Sequence, residues 1–252
     1  MSFNVAATAY DRFMGRFSRP LSRVFVGWLE LRNGYRALDV GCGPGALTKV
    51  LADRLGAASV TGVDPSEPFV DAARQRLPGV TVIRASAEAL PFDDGTFDMT
   101  VAQLVVHFMT APEAGMSELR RVTRPGGVIA VNVWDFEGGR APQSVFFRAL
   151  RAVVPDADDE VARAGARRGE LVALLRGAGC QDVEEAELDV DVASPTFEDW
   201  WEPYTLGVGP AGAQLAQLSE DLQAAVRERC LDLLGEGPIR TSATAWAAKG
   251  AR

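Results

Sequence analysis

LDVGCGPGALT, residues 38–48, sets three glycines at alternate positions behind a short apolar run that itself carries an aspartate, Asp39. Gly41, Gly43 and Gly45 permit a tight turn and leave no Cβ between the backbone and a ligand. The stretch heads a regular alternation. Residues 36–40, 59–63, 80–84, 97–102 and 128–134 read as strands. Residues 44–55, 65–77 and 112–122 read as helices, with Pro44 suited to a first helical turn and Gly126-Gly127 to a tight turn. Crossovers of this length join parallel strands, and their helices cover the faces of the sheet. Right-handed crossovers then give a doubly wound α/β fold.

The flanks depart from this alternation. Residues 1–34 read as helical, with Phe13, Phe17, Leu21, Phe25 and Trp28 spaced through them. Beyond the core, 143–153 and 168–178 read as helices and 183–192 as a strand. Residues 194–237 are mostly helical and carry Trp200, Trp201 and Tyr204. Residues 242–249 read as a last strand of weak propensity, since alanines dominate it. The expected organisation is one domain over 1–252, with a core at 35–134. Helical caps at 1–34 and 194–237 are expected over the carboxyl end of the strands.

Composition narrows the partners. A content of 47% apolar residues in 252 is enough for a full core. The 26 basic and 34 acidic residues leave a net charge of −8, which argues against a surface built for nucleic acid. Cys42, Cys180 and Cys230 lie far apart with no metal-ligand spacing, so reduced thiols in a cytoplasmic protein and no metal are expected. The first residues lack the pattern of a signal peptide, and no apolar run is long enough to span a membrane.

In a doubly wound sheet the ligand lies beyond the carboxyl ends of the strands, where strand order reverses. Asp64 ends the second strand, placed to accept hydrogen bonds from both hydroxyls of a ribose. Loop and acid together point to an adenosine-bearing cofactor. GCGPGA also satisfies the dinucleotide pattern, so a NAD(P)-dependent oxidoreductase is one reading. A pyrophosphate on the helix N-terminus would, however, meet repulsion from Asp39. A carboxylate there suits a ligand with a cationic part, such as S-adenosylmethionine, which carries an ammonium and a sulfonium.

LDVGCGPGALT resembles the first motif of class I S-adenosylmethionine-dependent methyltransferases, and VTGVDPS (60–66) resembles the second. ASAEALPFDDGTFDMTVAQLVVHF (85–108) is similar to the adenine loop and fourth strand of the branch that includes the ubiquinone/menaquinone-biosynthesis methyltransferases. ELRRVTRPGGVIAV (118–131) is similar to that branch's helix, turn and fifth strand. The resemblance runs from about residue 36 to 134 and fades beyond. YDRFMGRFSRP (10–20) resembles the cofactor-covering segment of some small-molecule members.

The resemblance implies a Rossmann-like, seven-stranded, mostly parallel sheet with helices on both faces and a helical cap. It implies methyl transfer from S-adenosylmethionine to a small-molecule acceptor, with S-adenosylhomocysteine as product. A methyltransferase-like domain that holds the cofactor as a structural or regulatory ligand is a further alternative. By the same resemblance, Gly41 and Gly43 line the methionine moiety, whose amine Asp39 complements in charge. Asp64 holds the ribose, and Pro65 and Ser66 border the adenine. The Ser86 hydroxyl and the Ala87 amide meet the adenine edge; many relatives carry aspartate at the serine position. Gln103 faces the methionine end, and Tyr10 and Arg16 close over the tail, with a solvated surface arginine as the equal alternative for Arg16.

Displacement at a sulfonium needs the nucleophile held in line at about 3–3.5 Å, and this positioning supplies most of the rate. A hydroxyl or protonated amine as acceptor gains from a general base. His107, the sole histidine, is the candidate base. The alternative, preferred here, is a first-turn histidine bonded to backbone or packed beneath the cofactor. Asp93 and Asp94 read as turn formers. Trp200, Trp201 and Tyr204 are candidates for the wall of an acceptor pocket, or equally for core packing of an amphipathic helix. A monomer or homodimer is expected.

Overall fold

The structure, a computed structural model, describes residues 7–252. The helical reading of residues 1–6 lies outside the described residues. From residue 7 the chain runs through α1 (Ala7–Tyr10), a π-helical turn (Asp11–Gly15) and α2 (Arg16–Trp28). Phe17, Leu21, Phe25 and Val26 fall on one face of α2 and are buried there. Residues 29–34 are not helical, contrary to the pattern: Leu29 is extended, and Gly34, at φ 85°, turns the chain into the first strand.

The core follows as β1 (Ala37–Val40), α3 (Ala46–Leu55), β2 (Val60–Asp64), α4 (Glu67–Arg76), β3 (Thr81–Arg84), β4 (Phe97–Gln103), α5 (Pro112–Val122) and β5 (Thr123–Trp134). Then come α6 (Ser144–Val153), α7 (Glu170–Gly177), β6 (Gln181–Ser194), α8 (Phe197–Trp201), α9 (Gly209–Ala216), α10 (Glu220–Leu234) and β7 (Ile239–Ala251). All seven strands form one sheet in the order β3-β2-β1-β4-β5-β7-β6. β1 to β5 are parallel to one another, and β7 enters antiparallel between β5 and β6. This is the mostly parallel Rossmann-like sheet expected. Every residue of β1 is buried, as a central parallel strand requires. From β1 the chain winds one way to β2 and β3, then crosses to β4 on the other side. The carboxyl ends of β1 and β4 therefore flank the point where strand order reverses.

Three local readings need correction. Helix α3 starts at Ala46, because Gly45 takes a left-handed conformation and closes a turn onto the Cys42 carbonyl at 3.0 Å. Pro44 thus lies in that turn and not in the first helical turn. Gly126-Gly127 lies within β5: the register steps from Phe97↔Thr123 to Met99↔Val128, so residues 124–127 bulge from the ladder. The amide of Gly126 donates to Arg252 O and the Gly127 carbonyl accepts from Arg252 N, which secures the bulge. The alanine-rich last strand is longer than expected, 13 residues, because pairing along both edges outweighs its weak propensity. No described helix is long and apolar enough to cross a membrane. The three cysteines are buried and free.

Candidate active site

The turn that leaves β1 is shaped by what it touches. Gly41 sits at φ 69°, and a Cβ there would lie 2.3 Å from Val105 Cγ2. The turn therefore passes directly against the segment that follows β4. Gly43, at φ 54°, has open space where its Cβ would be. Its amide donates to Asp64 Oδ2 at 2.9 Å, and the Ser66 amide donates to Asp64 Oδ1 at 2.8 Å. Asp64 ties the end of β2 to the glycine turn and keeps further lone pairs, since a carboxylate offers about four acceptor sites. Its carboxyl is raised above the usual range by burial, with the two amides opposing.

A cleft of about 460 Å³ opens over these strand ends, a usual size for a small-molecule site. Tyr10, Gly41, Gly43, Asp64, Ser66 and Gln103 line it, along with Pro65. A recess beside it is bordered by Asp39, Ser18, Gln103 and Leu104 and by no basic side chain. Asp39 accepts from Thr48 Oγ1 at 2.6 Å, and burial pushes its carboxyl up to about 7. Gln103 Nε2 donates to the Ser18 carbonyl at 3.1 Å and to Ser22 Oγ at 2.9 Å. A carbonyl can only accept, which fixes the amide orientation and leaves Gln103 Oε1 buried without a hydrogen-bond partner. A carboxylate and an unpaired carbonyl side by side suit an ammonium group and oppose a pyrophosphate. S-adenosylmethionine fits this donor and acceptor set.

Other candidate residues lie elsewhere. Arg16 donates to the carbonyls of Asp199 at 3.0 Å and Trp200 at 3.3 Å, so it fastens α2 to α8 instead of reaching the cleft. The Ser86 hydroxyl is taken up by Glu88, and Ala87 packs in the core; neither lines the cleft. Trp200, Trp201 and Tyr204 are buried in the aromatic core instead of walling an acceptor pocket. Tyr204 stacks on Phe146 at 4.5 Å and meets Phe13 edge-on at 5.2 Å. His107 is buried against Phe108, with ring centroids 3.9 Å apart. It lines a separate small cavity that shares Tyr10, Leu104 and Phe108 with the cleft. Burial first, and the Arg163 charge second, depress its pKa to about 3.

Sequence reasoning passed over Phe69, Arg84, Leu104 and Phe108, all of which line the cleft. Phe69 was the findable one, an aromatic in the first turn of α4, just beyond Asp64; it packs edge-on to Tyr10 at 5.2 Å. Leu104 takes a left-handed conformation, φ 59°, for which an aliphatic side chain gives no sequence signal.

Residues 38–131 match the family model described as a methyltransferase domain. The chain is 31% identical over 204 residues to the malonyl-[acyl-carrier protein] O-methyltransferase of Geobacter sulfurreducens, covering 78% of this chain and 76% of that protein. It is 32% identical over 146 residues to the ubiquinone/menaquinone biosynthesis C-methyltransferase UbiE of Burkholderia cenocepacia, covering 53% and 60%. The matches span from 52% to 76% of the length of the curated relatives. Among solved structures, the YcgJ protein of Bacillus subtilis superposes with a TM-score of 0.62 at 18% identity, covering 92% of this chain and 98% of that one.

Proposed function

The chain belongs to the class I S-adenosylmethionine-dependent methyltransferases, and from that premise we propose that it methylates a small organic acceptor. Its cofactor is S-adenosylmethionine, which supplies a methyl group already activated on a cationic sulfur. In this reading Asp64 holds the ribose, and the Gly41–Gly43 turn admits the methionine portion. Asp39 and Gln103 Oε1 receive its ammonium. Pro65, Ser66 and Phe69 border the adenine, and Tyr10 covers the cleft from the N-terminal segment.

The observation that carries the acceptor class is the second cavity. Phe13, Met14, Phe108 and Val208 are among its walls, and it shares Tyr10, Leu104 and Phe108 with the cofactor cleft. The N-terminal segment and residues 197–210 meet above it, through Arg16 and through the Phe13–Tyr204 contact. Such a cover excludes water and suits a small molecule better than a polymer chain. The Geobacter relative is named for O-methylation of malonyl-[acyl-carrier protein], and the Burkholderia one for C-methylation in ubiquinone/menaquinone biosynthesis. Both names support methylation of a small organic group. Calorimetry tests the cofactor, with micromolar binding expected for S-adenosylhomocysteine and none for NADH. Mass spectrometry of a metabolite-like library incubated with S-adenosylmethionine tests the acceptor class. Tight NADH binding without S-adenosylhomocysteine binding, or methylation confined to nucleic acid or to protein side chains, overturns the proposal.

A further inference from the structure

We propose that the cavity holding His107 receives a hydroxyl group of the acceptor, recognised by Trp134, Gln143, Glu160 and His107, while the apolar remainder of the acceptor lies along Leu104 and Phe108 toward the cofactor cleft. The assignment rests on the methyltransferase reading only in taking that molecule to be the methyl acceptor.

Four residues that line this cavity each carry a buried polar atom left unpaired: His107 Nδ1, Trp134 Nε1, Gln143 Oε1 and Glu160 Oε1. Each belongs to a side chain more than nine-tenths buried, and none has a hydrogen-bond partner among the described residues. Buried polar groups are paired in the great majority of cases, so four unpaired atoms around one cavity mark a place for a ligand. They come from separate parts of the chain: the segment after β4, the end of β5, the approach to α6 and the loop between α6 and α7. No local turn brings them together; the fold does.

The set of atoms selects the ligand. Trp134 Nε1 can only donate. Gln143 Nε2 donates to Glu160 Oε2 at 3.3 Å, which leaves Gln143 Oε1 as an acceptor. Glu160 Oε1 is an acceptor when ionised, and its ion-pair contact to Arg163 is long, 3.7 Å. A hydroxyl donates one hydrogen bond and accepts two, so it serves both kinds of wall atom. An ammonium would leave Trp134 unserved, and a carboxylate or phosphate would face Gln143 and Glu160 with nothing to donate. The size agrees: about 30 Å³ of free volume holds a group of one or two heavy atoms.

Glu160 is also held in a strained state. It takes φ 66°, a left-handed conformation rare for glutamate, and its amide donates to Asp158 Oδ1 at 3.0 Å. Burial raises its carboxyl to about 7, so above that pH the ionised form meets a ligand as an acceptor.

The test uses phenol and toluene, a pair of equal shape that differs by the hydroxyl, titrated into full-length protein saturated with S-adenosylhomocysteine. Binding is followed at the Trp134 indole N–H resonance, assigned by its loss in Trp134→Phe. Phenol is expected to shift that resonance and to bind about tenfold more tightly than toluene, the scale of one or two net hydrogen bonds. In Gln143→Leu, and separately in Glu160→Gln, the preference is expected to fall to about threefold or less. Equal binding of the two probes overturns the proposal, as does a phenol preference that survives unchanged in both variants. Failure of the wild-type protein to bind S-adenosylhomocysteine at all overturns the methyltransferase reading instead, so the two failures are distinct.

Discussion

Asp64 accepts the Gly43 amide at 2.9 Å, so the carboxylate at the end of β2 holds the turn that leaves β1. In the proposed function the same carboxylate has a second task, offering its remaining lone pairs to the ribose. Asp64→Ala is expected to weaken S-adenosylhomocysteine binding by about 1.5–3 kcal/mol, the scale for hydrogen bonds to a charged group. Asp64→Asn keeps one acceptor oxygen and should lose less. Calorimetry on both variants checks this; unchanged affinity in a folded Asp64→Ala protein would show that the cofactor does not rest on β2.

Gly41 and Gly43 separate folding from binding. Alanine at either position takes on a left-handed conformation, costing about 1–2 kcal/mol. At 41 the new Cβ also meets Val105 at 2.3 Å, adding an overpacking cost of about 1–3 kcal/mol. At 43 it meets no atom within 4 Å and projects into open space. Gly41→Ala should therefore lower thermal stability more than Gly43→Ala. Gly43→Ala should lose cofactor affinity out of proportion to its stability. Denaturation midpoints and binding constants measured on both proteins decide it, and the reverse ranking of stabilities would refute this account of the turn.

These glycines and Asp64 were legible in the sequence because their geometry is set within one βαβ unit, by neighbours close in the chain. The alternation that makes the core strands parallel was legible for the same reason. Arg16, Trp200, Trp201 and Tyr204 were not, since composition says that they bury surface or carry charge but not which face they turn to. Arg16 reaches α8 across more than 180 residues of chain. Glu160 gave no signal either. It lies in an aperiodic loop, and Gln143, Trp134 and His107 line the same cavity only because the whole fold brings them to it.

Asp39 should make both stability and binding depend on pH. Its folded pKa, about 7, lies above the ordinary value of 3.8. The unfolded chain thus ionises first as pH rises. The stability associated with protonated Asp39 is full below about 4 and is lost as pH rises through about 7. Binding goes the other way, because the cofactor's ammonium favours the carboxylate: affinity for S-adenosylhomocysteine should rise over the same interval. Glu160 titrates in the same range, so Asp39→Asn is the control that assigns the effect. Isotherms measured across this interval should flatten in Asp39→Asn; an identical pH dependence in that variant would exclude Asp39 as the source.

His107 tests whether catalysis uses a base. A pKa depressed to about 3 makes the imidazole neutral near pH 7 but a poor proton acceptor. Its Nδ1 has no carboxylate orienting it, unlike the activated bases of enzymes that depend on one. His107→Gln is therefore expected to reduce kcat/KM about tenfold or less, mainly by misplacing the acceptor, with the loss concentrated in KM. A general base contributes about 10²–10⁴-fold. The variant should also change acid stability. In the wild-type protein the folded pKa lies below the unfolded value of 6.5, so stability is full above 6.5 and falls as pH drops toward 3. His107→Gln removes that acid-side slope. Single-turnover methyl transfer against pH, once an acceptor is known, separates the two roles. A loss beyond about a hundredfold, joined to the disappearance of an ionisation near neutral pH, would make His107 the base. A modest loss with an unchanged neutral limb leaves it as a wall of the acceptor cavity, with positioning as the source of the rate.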